Sequence, residues 1–345
     1  MTRLKIISLL LVVVVLGSLV ACGAEEATQA PEPTKAEQVE QPAATEKPAE
    51  PQVTQTGYVI GLAVHDNPAE SSFWGVVETG AKDGAAAMGV ELKSGGSNDP
   101  GEQAQLIETY VADGVDGIIV SLANPDAMKD AVLKATSAGI PVITVNSGVD
   151  VYKELGAITH VGQTEFVAGQ GAGYQFNDAG AKKAMCVIHE EGNIGLEERC
   201  DGLTDTFSGE VVRFNVATTG IRDIAGTLAT IQDKLIAESD IDSILTLNPN
   251  IADAAMQAIE AAGGAQKLAT FDLSPDVLEA IEAGKMMFAI DQQQYLQGYL
   301  PVVFLYLYNA NANTVGGGLP VLTGPGIVDA SNAAAVKDLA AAGTR

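Results

Sequence analysis

The side chains of this sequence that could do chemistry recur in one kind of place. Short apolar runs end, again and again, in hydrogen-bonding residues. Run 58–64 is followed by His65, Asp66 and Asn67, then by Ser71, Ser72, Phe73 and Trp74. Run 140–145 leads into Asn146 and Ser147. Run 184–189 closes on His189 and continues into Glu190, Glu191 and Asn193, with Arg199 shortly after. Asn248 and Asn250 follow run 242–247, Asp272 follows 267–271, and Asp291 and Gln292 follow 286–290. Carboxylates, amides and one guanidinium around an aromatic plane suit a ring with hydroxyls on its edge and C–H bonds on its face. Hydroxyls donate to Asp or Glu and accept from Arg or Asn, and such charge-assisted bonds are the strong ones. Plainer roles compete. Asn, Asp or Ser after a strand also caps the next helix, which is the role assigned here to Asn124 and Ser274. Phe73 and Trp74 could equally be core. Because both halves of the chain repeat the pattern, the set as a whole reads as a binding site.

The elements that must hold these residues alternate. Apolar, β-branched runs at 58–64, 90–93, 116–121, 140–145, 157–161, 184–189, 211–216, 242–247, 267–271 and 286–290 are predicted strands. Helical stretches separate them at about 73–88, 102–113, 125–138, 164–179, 195–208, 223–238, 250–262, 275–283 and 293–309. Strands apolar throughout, spaced by helices, indicate parallel sheets covered on both faces. That many crossovers call for two doubly wound α/β units. In such sheets ligands sit beyond the carboxyl ends of the strands, where the polar residues fall.

The first 56 residues differ. Arg3 and Lys5 precede an apolar stretch from Ile6 to Leu16, and Leu19-Val20-Ala21-Cys22 follows. This is a secretory signal over 1–21. Its ending resembles a bacterial lipobox, which implies cleavage before Cys22 and lipidation of its sulfur; the alternative is an ordinary signal with an incidental cysteine. Residues 22–56 hold five prolines, much Glu, Gln, Ala and Thr, and no aromatic. They are expected to be a disordered tether, spanning roughly 30–35 Å on average.

Composition excludes several classes. With 19 Lys and Arg against 44 Asp and Glu, the formal charge is −25. That field repels nucleic acid and anionic lipid, so membrane attachment is expected only through the anchor. Three histidines without H-x-x-x-H spacing, and no C-x-x-C, speak against a metal, and no cofactor is expected. Neither G-x-x-x-x-G-K-[ST] nor G-x-S-x-G occurs. Gly169, Gly171 and Gly173 fall inside a helix, where they suit close packing. Abundant carboxylates keep a carboxylate-pair hydrolase acting on carbohydrate open as an alternative. His65 and His189 are candidate contacts that could make binding pH-dependent; His160 is assigned a structural role. Cys186 and Cys200, in an exported chain, are a candidate disulfide worth about 3 kcal/mol, or else two buried thiols.

Taken in order, "GVVETGAKDGAAAMGVEL" after Phe73-Trp74, then "AGIPVITVNS", "EERCDGL", "SILTLNPNIADAAMQAI" and "ATFDLSPDVLEAIEAGKMMFAIDQQQYLQGY" resemble the ribose/galactose-type periplasmic binding proteins. These are the type 1 solute receptors of bacterial sugar ABC importers. The resemblance covers about 57–335. It implies two α/β lobes joined by three hinge strands, 57–162 plus 292–322 and 163–291 plus 323–345, closing on a ligand. It implies a monomeric, non-enzymatic extracytoplasmic receptor that hands a monosaccharide, polyol or cyclitol to a membrane permease. Phe73 matches the stacking aromatic, with Trp74 beside it. Arg199 matches an arginine that contacts hydroxyls, and Asn248, Asp272 and Gln292 match polar ligands at strand ends. Asn146-Ser147 stands where ribose-type proteins carry Asp-Arg, so ribose itself is not expected; His65, Asp66 and Glu190 are further candidate contacts. On this reading, truncating Arg199 or Asp272 costs about 1.5–3 kcal/mol of binding and changes the ligand-free fold much less.

Overall fold

The structure is a computed structural model that describes residues 54–216 and 220–345. The signal segment, Cys22 and the tether up to residue 53 lie outside the described residues. Thr56, assigned to the tether, is already tied into the body: its N–H and its hydroxyl both donate to Gly89 O.

All nine anticipated helices and ten anticipated strands are present, each within a few residues of its expected bounds. The strands are β1 (Val59–Val64), β2 (Glu91–Gly96), β3 (Gly117–Ser121), β4 (Val142–Val145), β5 (Thr159–Gly162), β6 (Lys183–Ile188), β7 (Glu210–Asn215), β8 (Ser243–Thr246), β9 (Lys267–Phe271) and β10 (Phe288–Asp291). Two short strands, β11 (Val321–Leu322) and β12 (Gly326–Asp329), extend the pattern. They assemble into two six-stranded sheets ordered β11-β5-β4-β3-β1-β2 and β12-β10-β9-β8-β6-β7. Pairing is parallel throughout except that β12 runs antiparallel to β10, so the second sheet has one reversed edge strand.

Strand burial follows sheet position. Central β3 and β8 are buried at every residue, with Ile118, Ile119 and Val120 or Ile244 and Leu245 at their centres. Edge strands β2 and β7 are partly exposed and carry Glu, Lys, Arg and Ser. The period of two sends alternate residues to opposite faces. In the first sheet Leu62 and Ile119 pack with Val77 of helix α1 (Ser72–Met88) and Val302 of α9 (Gln294–Asn311). Ile118 and Val120 pack the other way, against Ile107 of α2 (Pro100–Asp113) and Val132 of α3 (Pro125–Ser137). The second sheet repeats this. Cys186 and Phe271 face Phe176 of α4 (Glu165–Asp178) and Leu203 of α5 (Ile194–Thr206). Met185 and Ile244 face α6 (Ile224–Ala237), α7 (Pro249–Ala261) and α8 (Pro275–Glu282). A last helix, α10 (Ala333–Ala341), packs against α8.

Two local features place the site. The Cys186–Cys200 disulfide pins α5 to β6. Helices α4 and α5 approach backbone to backbone: a Cβ on Gly169 would lie 2.0 Å from Arg199 O, and one on Gly202 would lie 1.9 Å from Phe166 O. That contact brings the start of α4 against Arg199. The chain passes between the sheets after β5, after β10 and after β11. These crossings are laced together: Thr323 N donates to Gly162 O at 2.7 Å, and the Thr323 hydroxyl donates to Gln292 O at 2.7 Å.

Candidate functional site

Because the sheets share one strand order, their strand ends correspond in pairs. His65 after β1 answers His189 after β6; Asn146 after β4 answers Asp272 after β9; Gln163 after β5 answers Gln292 after β10. The correspondence extends to the backbone. Asn146 N donates to Val161 O at 3.2 Å and Asp272 N to Ile290 O at 2.8 Å. Both residues have positive φ, 60° and 68°, a left-handed turn that Asn and Asp tolerate better than most residues. Each sheet thus lifts a polar side chain off its carboxyl edge into a cavity between the lobes.

Gln292, on the hinge, joins the two lobes. Asn146 Nδ2 donates to Gln292 Oε1 at 3.0 Å, and Gln292 Nε2 donates to Asp272 Oδ1 at 2.7 Å. Gln297 Nε2 also donates to Gln292 Oε1, fixing the amide orientation. Burial pushes the Asp272 carboxyl up to about 7, against the opposing pull of Arg199 and Gln292.

Arg199 is buried and fully engaged on one side. Its Nε and Nη2 donate to the two carboxylate oxygens of Glu165 at 2.6 and 3.1 Å, and Nη1 donates to Leu247 O at 3.3 Å. Its guanidinium carbon lies 4.3 Å from the centre of the Phe271 ring. Three of its five N–H groups are taken by protein. Burial works against the charge, but Glu165 outweighs it and holds the pKa above the usual arginine range.

The aromatic pair, Phe73 and Trp74, belongs to the first lobe's core and also reaches the cavity wall. They meet edge to face at 4.9 Å, and the His65 ring stands edge-on to Trp74 at 4.8 Å. Ser71 caps α1 by accepting from Trp74 N. Asn248 is likewise double: its Oδ1 caps α7 through Asn250 N at 2.8 Å, while the residue lines the cavity. Asn124 and Ser274 are helix caps, as assigned.

Toward the mouth, Glu190 lies between two imidazoles, 3.9 Å from His65 Nε2 and 3.8 Å from His189 Nε2. Burial lowers the pKa of both histidines, that of His189 to about 4. Burial thus favours the neutral form of both rings, while Asp272, at about 7, is the carboxyl poised near neutrality. His160 is buried, bonded to Thr144 and held at about 3 by desolvation, consistent with a structural role. The lobes touch: Ile194 N donates to Ala123 O at 3.3 Å, and Arg222 reaches to 3.8 Å from Asp66. The arrangement is a closed one.

All eleven residues named as candidate contacts, His189 included, line this cavity. Glu165 was missed. An acidic residue in a helix's first turn has a sufficient local reason to be there, and only the α4–α5 contact reveals its partner. Gln163, buried and donating to Glu165 Oε2 at 2.8 Å, was missed too. Among the described residues no cluster of His, Cys, Asp and Glu could hold a metal ion, and no helix is long and apolar enough to cross a membrane.

Two α/β lobes hinged over a polar, aromatic-walled cavity define a solute-binding receptor. The chain belongs to the periplasmic binding protein domain family, which matches residues 60–312. It is 29% identical to a ribose import binding protein of Haemophilus influenzae, over 71% of this chain and 83% of that one. It is 26% identical to a xylose/arabinose-binding protein of Sulfolobus acidocaldarius, over 59% of this chain but only 54% of that one. Among solved structures, a carbohydrate transporter from Acidothermus cellulolyticus in complex with myo-inositol is 41% identical, with a TM-score of 0.81 over 84% of this chain and all of that one. A periplasmic sugar binding protein from Legionella pneumophila, at 22% identity and a TM-score of 0.71 over 77% of this chain and 99% of that one, shares the fold. The hydrolase alternative finds no support among these relatives.

Proposed function

We propose that this chain is an extracytoplasmic receptor, anchored through lipidated Cys22, that binds a cyclitol of the myo-inositol type and passes it to the permease of an ABC importer. The observation that carries this is the interlobe cavity that sets acceptors (buried Asp272, half-buried Glu190) and donors (Arg199, Asn146) beside an aromatic wall. A fully hydroxylated ring offers both a donor and an acceptor at each edge position. The 41% identical relative that holds myo-inositol favours a cyclitol over an aldose, and so does Asn146-Ser147, which lacks a charge pair for a ring oxygen. Phe73 and Trp74 would cover the C–H face; Asn248 and Gln292 would complete the edge; His65 and Asp66 would close the rim. Opening and closing would move 57–162 plus 292–322 against 163–291 plus 323–345.

A thermal-shift screen of cyclitols, polyols, sugars and amino acids tests this. A ligand at a hundred times its dissociation constant adds about 2.7 kcal/mol to stability, so myo-inositol is expected to raise Tm by several degrees. A response confined to amino acids would overturn the ligand class. Trp74, the single tryptophan, supplies an independent readout. Its ring lines the cavity against His65, so titration with myo-inositol should shift its emission. An unchanged spectrum at saturation would place the ring in the core alone.

A further inference from the structure

The closed cleft does not end at the ring cavity. A second, larger chamber of about 520 Å³, part of it open to solvent, continues from the first and shares with it His65, Asp66, His189, Glu190, Asn193 and Ile221. The ring cavity lies over the middle of the two sheets, at the ends of β4, β9 and β10. The chamber lies over their corresponding edges. Ser97 and Asn98 follow edge strand β2, and Arg222 and Asp223 stand on the segment that follows edge strand β7. It persists with the lobes in contact, since Ala123, which accepts the interlobe bond from Ile194, forms part of its wall. Its lining carries amides, a hydroxyl, four carboxylates (Asp66, Glu190, Glu191, Asp223) and one guanidinium, Arg222. At the junction His189, 94% buried by its 6% relative exposure, has a ring Nδ1 with no hydrogen-bond partner. His189 lines both spaces, so its ring stands where a group joining them would pass.

We propose that the chamber is a second subsite, and that the receptor accepts a cyclitol carrying a second sugar ring through one glycosidic bond. This rests on the cyclitol reading above. The first ring occupies the space beside Trp74 and Asp272. The link runs past His189, and the second ring lies among Ser97, Asn98 and Arg222. Hydroxyls can donate to its carboxylates and accept from Arg222, so the wall suits a hydroxylated unit.

Calorimetric titration of the full chain compares myo-inositol with its mono-galactosides, one for each hydroxyl position. At least one galactoside is expected to bind within tenfold of myo-inositol. The variant Asn98→Trp, at an exposed residue that lines only the chamber, should change that galactoside's affinity at least fivefold in either direction and leave myo-inositol unchanged. If myo-inositol binds and every galactoside is more than tenfold weaker, or if Asn98→Trp leaves the best galactoside unaffected, the chamber is a solvent-filled mouth and the proposal is overturned while the cyclitol reading stands. If myo-inositol itself does not bind, both fall together.

Discussion

Arg199→Ala should lower the unfolding free energy of the ligand-free protein by roughly 3–5 kcal/mol, the range found when one partner of a buried ion pair is removed. The sequence reading makes this arginine a ligand group whose loss spares the fold. The bidentate bond to Glu165 makes it a structural partner as well. Glu165 is 1% exposed, and without Arg199 its carboxylate would keep only Gln163 as a partner. Its position at the start of α4, against α5, then becomes a buried, uncompensated charge. Urea denaturation checks this. A loss under about 1 kcal/mol, the scale of an exposed pair, would mean that water reaches Glu165. The double variant Glu165→Leu with Arg199→Met separates the two roles of the arginine. Replacing a buried pair by apolar groups is often close to neutral, so stability should largely return while binding stays lost. If binding returned with stability, Arg199 would not touch the ligand.

How much could be read in advance depended on whether a residue's reason lay near it in the chain. Strands buried on both faces, such as β3, announce themselves as apolar runs, and glycines mark the turns between elements. The strand-end rule then located Asn146, Asp272 and Gln292 without any contact being known, because the geometry of doubly wound sheets puts ligands there. Edge strands were harder. β2 carries ELKSGG, polar because half of it meets solvent, so its apolar signal was confined to its start. β11 and β12, of two and four residues, form only because the crossings bring them alongside β5 and β10. Within the site, Glu165 and Gln163 escaped because their roles are set by α5, more than thirty residues away. The double duty of Asn248, cap and cavity wall, could not be split by sequence, since both readings call for the same residue at the same place.

Asp272 makes the ligand-free protein pH-sensitive, and the sign can be worked out. Its pKa rises from 3.8 to about 7 on folding, chiefly through burial. Between those values the folded state holds a proton that the unfolded state has released. Stability therefore falls as pH rises through this window, by about 4 kcal/mol from this group if the shift is fully expressed. Asp272→Asn keeps the side-chain oxygen that accepts from Gln292 and removes the ionisation. The variant should match wild type near pH 4 and exceed it by several kcal/mol at pH 8. Denaturation curves at pH 4.5, 6 and 8 provide the comparison; wild-type and variant profiles running parallel across that range would rule out a desolvated carboxylate here. Ligand reverses the preference. A hydroxyl donating to ionised Asp272 adds a charge-assisted bond to the one from Gln292, so binding should release a proton near neutral pH. Affinity for myo-inositol should then rise as pH climbs through 7 in wild type, and be both weaker and nearly flat with pH in Asp272→Asn. The group that destabilises the empty receptor at physiological pH is thus the one that makes occupancy favour the closed state.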